Sequence, residues 1–282
     1  MAYQLWSSPI TGYRRKGTRM SDLRQLFEGY ITANSIQEPL KYCLFEESAT
    51  DVKSELMRLD FDIAGLRADK DQPTIEFIRA AALAGGICQN YAEPINVADV
   101  IAESTPLIEV LVALKSKSYY FIQNGTQISG IITRADLQKP PVRILIFGIV
   151  SLLEMHLSFL VNKYFPSESW KIVLSDGRTA KAEELLRFRK NRNEVLDLVD
   201  CLQFADKRDL LLSSESMRKH LGFQTNQEAK ELLDNVEALR DKLAHSQDIV
   251  SGTIWEKLIN NVSEAERVIL RSDEIIEKDS KK

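Results

Sequence analysis

The sequence predicts an α+β chain: a mixed α/β region over residues 37–139 and an all-α bundle over residues 140–282, preceded by a basic arm at 1–36. Three observations carry this division. In the first region, β-branched and aromatic runs alternate with helical patterns. Pro140-Pro141 then marks a boundary, since a proline does not extend a helix and pushes the residue before it to extended geometry. Beyond it, strand signals almost vanish and apolar residues recur at helical spacing.

The elements follow in order. The N-terminal stretch MAYQLWSSPITGYRRKG lacks the apolar core of a signal peptide. Its Arg14, Arg15 and Lys16, with Arg19 beyond, read either as a phosphate-binding arm or as solvated charge. Asp51 to Leu59 has helical periodicity, Asp62 to Leu66 is a short strand, and Thr74 to Ile78 is a returning strand. Leu107, Val110, Leu111 and Leu114 mark a second helix, followed by the strand Tyr119 to Gln123. Asn124-Gly125 signals a type I′ hairpin, because both residues tolerate positive φ, and Gln127 to Thr133 is its second strand. A helix opens at Thr133-Arg134-Ala135-Asp136.

In the bundle, Val142 to Phe165 is one helix stopped by Pro166, with Leu153, Leu157, Leu160, Val161 and Tyr164 on its apolar side. Its run Ile144 to Leu153 is too short to span a bilayer, so it reads as a buried helix and no membrane is expected. Ala180 to Ala205 holds one or two helices with Leu185, Leu186, Leu196, Val199 and Leu202 inward. Ser213 to Ser216 starts a helix that Gly222 stops, and Gln227 to Leu243 carries Leu232, Val236, Leu239 and Leu243 in near-heptad spacing. Ser251-Gly252 is a break. Ile254 to Ile276 is the last helix, before a charged, frayed tail from Glu277 to Lys282.

Composition limits the function classes. The chain has 282 residues, 44% hydrophobic and 28% charged, enough for two modest cores and against extensive disorder. A formal charge of −4 gives no global basic footprint for duplex nucleic acid, so any RNA contact is local. The three cysteines, Cys43, Cys88 and Cys201, are far apart in sequence, which argues against a disulfide framework or zinc site and fits a reducing cytoplasm.

The pattern helix, strand, hairpin, strand, then Gly130-Ile-Ile-Thr133-x-x-Asp136 resembles the cystathionine-β-synthase (CBS) domain, with residues 37–83 as a weaker first copy. The resemblance implies a CBS pair that senses an adenosine-containing ligand: AMP, ADP, ATP or S-adenosylmethionine. It implies Thr133 at the phosphate and Asp136 at the ribose hydroxyls, with Arg134 and Tyr119 alongside. A helix start suits an anion and a carboxylate suits a diol, but Thr133 and Asp136 equally fit a capping box that needs no ligand. In the first copy, Arg79 and Ala82 stand at those positions, so one occupied site is expected. Arg79 then reads as an anion contact or as a solvated charge.

The bundle resembles the HEPN superfamily (higher eukaryotes and prokaryotes nucleotide-binding). The resemblance rests on Glu154 in the first long helix and on Arg240-Asp-Lys-Leu-Ala-His245, which fits the Arg-x4-6-His signature. It implies a metal-independent endoribonuclease, without a cofactor for its chemistry, whose site is shared across a homodimer and cuts single-stranded RNA. In that reading His245 moves a proton, Arg240 holds the scissile phosphate and Glu154 orients a partner. Asp241 puts an unfavourable charge beside that phosphate. A five-residue spacing turns Arg240 and His245 about 140° apart on a straight helix, so they converge only at a frayed end or in a two-fold cleft. The plain alternative is that both lie on a solvated helix face. Together the halves suggest a ligand-gated, toxin-like ribonuclease; the alternative is a non-catalytic nucleotide-sensing regulatory or dimerisation protein.

Overall fold

A computed structural model describes residues 19–191, 197–250 and 253–280. The chain divides into two compact units, residues 27–141 and residues 1–26 with 142–282. The cluster Arg14-Arg15-Lys16 lies outside the described residues. From Met20 to Glu28, within the expected arm, the chain is instead a helix, α1.

The 27–141 unit is built from two matching halves. The first runs β1 (Glu38–Pro39), β2 (Tyr42–Leu44), α2 (Ala49–Arg58), β3 (Ile63–Arg67) and β4 (Glu76–Arg79). The second runs β5 (Glu93–Pro94), β6 (Val100–Ala102), α3 (Leu107–Ser116), β7 (Tyr119–Asn124) and β8 (Gln127–Thr133). The halves exchange their opening strands. One sheet has the order β2-β3-β4-β5 and the other β1-β8-β7-β6, so the strand that begins each half closes the other half's sheet. In both sheets a parallel pair (β2 with β3, β6 with β7) is followed by antiparallel neighbours.

The links between the halves repeat bond for bond. Ala33 N donates to Thr105 O at 2.8 Å and Cys88 N to Glu47 O at 3.0 Å. Asn34 N donates to Glu103 O at 3.0 Å, Gln89 N to Phe45 O at 3.1 Å, Leu107 N to Ile31 O at 3.0 Å, and Ala49 N to Gly86 O at 2.9 Å. Between the sheets Phe77 packs on Phe121 (ring centroids 5.2 Å apart) and on Tyr119 (6.4 Å), tilted geometries that aromatic pairs prefer. Gly130 is fixed by this crossing: a Cβ there would stand 2.8 Å from the Glu38 carbonyl oxygen, so any side chain would push β1 off β8.

The β7–β8 hairpin forms one residue later than expected. Asn124 is still paired, with Gln127, and only Gly125 (φ +58°) adopts positive φ, the first-position glycine of a II′-like turn. A bulge at Ile122/Gln123 takes up the irregular register.

In the helical unit, α4 runs from Pro140 to Tyr164, α5 from Asp176 to Lys190, α6 from Phe204 to Ser213, α7 from Glu215 to His220, α8 from Asn226 to Ala244 and α9 from Trp255 to Ser280. Pro140 and Pro141 open α4 rather than precede it. First-turn residues have no intrahelical acceptor for an N–H, so the missing donors cost nothing there. By length and composition α4 is apolar enough to cross a membrane, but 67% of its apolar window is buried inside the protein, and it is the central core helix. Leu153, Leu157, Leu160 and Val161 are buried, as are Leu210 and Leu211 of α6, Leu233 and Val236 of α8 and Val268 and Ile269 of α9. Thr225 caps α8 through Glu228 N, Ser214 caps α7 through Met217 N, and Gly222 (φ +85°) lies just past the end of α7.

Two expectations fail in detail and two lie beyond test. Leu185 faces solvent at 38% exposure, because only Ala182 of α5 is fully buried. Leu196 and the Ser251-Gly252 break lie outside the described residues. The expected frayed tail is helical through Ser280, since α9 continues past Ile276 and Glu277 ties back to Arg19 at 2.9 Å.

Candidate functional site

At the end of β8 the chain turns into a 3-10 helix, Arg134–Gln138, with Thr133 as N-cap. Asp136 Oδ2 accepts from Thr133 N (2.7 Å) and from Thr133 Oγ1 (3.0 Å), a reciprocal capping box. Asp136 is buried, and its other oxygen pairs with Lys139 Nζ at 2.8 Å. Lys139 also reaches Ile36 O at 2.6 Å and the Glu38 carboxylate on β1. Burial works against the Lys139 charge, but Asp136 and Glu38 more than offset it and hold its pKa above the ordinary lysine value. Lys139 is thus the cation of this corner, and sequence reasoning missed it. Its partners lie three residues away and about a hundred residues upstream, and only the β1 exchange joins them.

The other expected ligand residues have structural partners. Arg134 Nε donates to Leu114 O (2.9 Å) and its NH2 to Lys115 O (3.2 Å), which satisfies carbonyls at the C-terminal end of α3. Arg79, part-exposed, has partners within the protein. Its Nε meets both Glu93 oxygens (3.1 and 3.2 Å) and its NH2 donates to Tyr119 Oη at 2.8 Å. Its guanidinium also lies 5.0 Å from the Phe77 ring centroid.

In the helical unit the structure brings Glu154 and Arg240 together and leaves His245 apart. Arg240 Nε is 3.8 Å from Glu154 Oε2, and the other Glu154 oxygen takes Lys207 Nζ at 3.2 Å. Lys207 is only 3% exposed, so this carboxylate balances a buried ammonium. Nearby, Arg208 bridges Asp234 (2.8 Å) and Glu237 (2.7 Å), and burial raises the Glu237 pKa against the pull of Arg208. His245 is the exposed C-cap of α8, followed by Ser246 at φ +54°. Among the described residues no hydrogen bond or ion pair joins its ring to Arg240 or Glu154.

Two further pairings join residues distant in sequence. Cys43 and Cys88, far apart in sequence, share the buried core of the first half. Burial, reinforced for Cys43 by the neighbouring Cys88, pushes both thiols up, so they behave as packing groups rather than nucleophiles. In the helical unit His156, fully buried on α4, has Nε2 3.8 Å from Asp273 Oδ1 on α9, while Asp273 Oδ2 accepts from Met20 N at the start of α1 (3.2 Å).

No family model matches the chain, and no curated protein matches it. Solved structures of CBS-domain proteins are similar to part of it. CBSX2 in complex with AMP is 14% identical, with 40% of this chain and 97% of that one covered at a TM-score of 0.34. The CBS domain of a bacterial CNNM/CorC family Mg2+ transporter in complex with ATP is 11% identical, with 42% and 92% covered at 0.34. The CBS domains of a transcriptional regulator from Streptococcus pneumoniae are 10% identical, with 38% and 97% covered at 0.33.

Burial raises Asp273 to a pKa of about 6. A carboxyl raised in the folded state stabilises the protein below its unfolded pKa, and that contribution is lost as pH rises through the folded value. Stability should therefore fall between about pH 4 and pH 6 by up to about 3 kcal/mol through this group alone. Asp273→Asn keeps an acceptor for Met20 N and removes the titration. Urea unfolding across that range should show the fall in wild type and a flatter profile in the variant.

Proposed function

We propose that the 27–141 unit is a CBS pair that senses an adenine nucleotide, with Thr133 and Asp136 as its phosphate and ribose contacts and the helical unit as its output. The observation that carries this is the duplicated, strand-exchanged architecture with a Thr-x-x-Asp turn at the end of only one half. A carboxylate held at a helix start, beside backbone N–H groups, can accept from a ribose diol while a phosphate meets the helix N-terminus. The capping role of Asp136 leaves room for this: Thr133 N, Thr133 Oγ1 and Lys139 Nζ take three of its roughly four acceptor directions, and one on Oδ1 remains for a ribose hydroxyl. AMP, ATP and S-adenosylmethionine are the probes to use; the first two are bound in the similar structures described above.

Calorimetry should give close to one nucleotide per chain. Asp136→Ala should weaken binding by about 1.5–3 kcal/mol, the scale of hydrogen bonds to charged groups. Because that variant also loses the cap, Asp136→Asn serves as the control: it keeps an oxygen for Thr133 and should still bind more weakly than wild type. Wild-type affinity in both variants excludes Asp136 as a contact.

A second reading concerns the output. The convergence of Glu154, Arg240 and Lys207 favours a HEPN-type, metal-independent endoribonuclease acting as a homodimer with an isologous interface. Arg240 would hold the phosphate and the accessible His245 of each protomer would transfer the proton. Loss of a general acid–base typically costs 10²–10⁴-fold in rate, so His245→Ala should be nearly silent on single-stranded RNA in EDTA. Equal cleavage by variant and wild type removes His245 from the chemistry. No cleavage by either, with or without nucleotide, favours a non-catalytic regulatory or dimerisation role.

A further inference from the structure

The two halves can be superposed residue by residue through their hydrogen bonds, and this makes Arg79 informative. Ile63 pairs with Arg79 as Tyr119 pairs with Thr133. Ala80 N donates to Asp62 O (2.9 Å) as Arg134 N donates to Ser118 O (3.1 Å). Glu93 on β5 stands opposite Phe77 as Glu38 on β1 stands opposite Ile131. Arg79 therefore occupies the place of Thr133, Ala82 that of Asp136, and Glu93 that of Glu38.

The chemistry at these equivalent places is opposite. Thr133 and Asp136 bond to each other and leave Glu38 to Lys139. Arg79 makes no side-chain cap. Its guanidinium instead lies across the corner, engaged by both Glu93 oxygens and by Tyr119 Oη, with the Phe77 and Tyr119 rings 5.0 and 5.5 Å from its carbon. Two of its five N–H donors thus have acceptors from the protein, the Nε–H shared between both Glu93 oxygens and one NH2 hydrogen on Tyr119 Oη; a carboxylate stands where an incoming phosphate would need positive charge, and Ala82 offers nothing to a diol. The side-chain exposures of 42% and 41% for Arg79 and Glu93 show that the pair sits at an accessible corner rather than deep in the core.

We propose that Arg79, engaged by Glu93 and Tyr119, is an internal occupant that closes the first half to nucleotide and restricts the pair to one ligand per chain. The inference rests on the sensor reading above and adds the residue that sets its stoichiometry. Losing the Arg79–Glu93 pair should leave the unfolding midpoint nearly unchanged, because exposed ion pairs contribute little.

The test is the full-length double variant Arg79→Thr/Ala82→Asp, titrated calorimetrically with AMP and with ATP beside wild type. Stoichiometry should rise from one to two per chain, and adding Asp136→Ala should return it to one. The gain is read relative to wild type, so the two readings fail separately. A wild type that binds nothing refutes the sensor site at Thr133 and Asp136, while the double variant still acquires one site if the inference holds. A double variant with the wild-type unfolding midpoint and no added site overturns the inference, as does a wild type that binds two. Should the double variant not fold, Arg79→Thr/Glu93→Gln replaces it. That change removes the occupant and the carboxylate charge it neutralised without touching the backbone, and it should add an ATP-binding event; no added event again overturns the assignment.

Discussion

The reciprocal exchange of β1 and β5 is the constraint on which the nucleotide-sensor account depends. Each is a two-residue Glu-Pro strand, too short to persist alone, and each closes the sheet of the half to which it does not belong. Proline suits the position because an edge strand need not donate on its outer side. The exchange places Glu38 beside the end of β8 and Glu93 beside the end of β4, so each corner receives a carboxylate from elsewhere in the chain. Gly130 follows from the same crossing, since β1 passes too close for a side chain.

Those two carboxylates differentiate otherwise equivalent corners. Lys139 neutralises Glu38 and also braces Asp136, leaving Thr133 at a helix start. Arg79 neutralises Glu93 from within the turn itself. A duplicated scaffold thereby carries one corner closed by a Thr133–Asp136 capping box and one closed by the Arg79–Glu93 pair. The helical unit answers buried charge in a similar way: Glu154 is shared between the buried Lys207 and Arg240, and Asp206 and Asp209 both meet Arg178.

Much of the secondary structure was legible because it follows from local pattern. The strands around Leu66, Phe77, Phe121 and Ile132, the helix stopped before Gly222 and the helix carrying Leu232, Val236 and Leu239 needed only periodicity and turn residues. What failed depended on partners distant in sequence or on the position of a residue within an element. Arg79 was ambiguous because Tyr119 is 40 residues away, and Lys139 was invisible because Ile36 is 103 residues away. Pro140-Pro141 signals a helix boundary but not on which side the helix lies. Leu185 fits an apolar helical face, yet α5 packs through other positions. Arg240 and Glu154 do approach, whereas the end of α8 carries His245 past the last helical turn.

The central claim, that strand exchange makes the two halves one cooperative sensor, is tested most directly by native-state amide hydrogen exchange on wild type and Gly130→Ala. The substitution disturbs only the β1–β8 crossing, where overpacking typically costs about 1–3 kcal/mol. The account predicts that protection of the β3–β4 amides, in the other sheet, falls by the same free energy as that of β7 and β8. Loss confined to β7 and β8, with β3 and β4 as protected as in wild type, would contradict it.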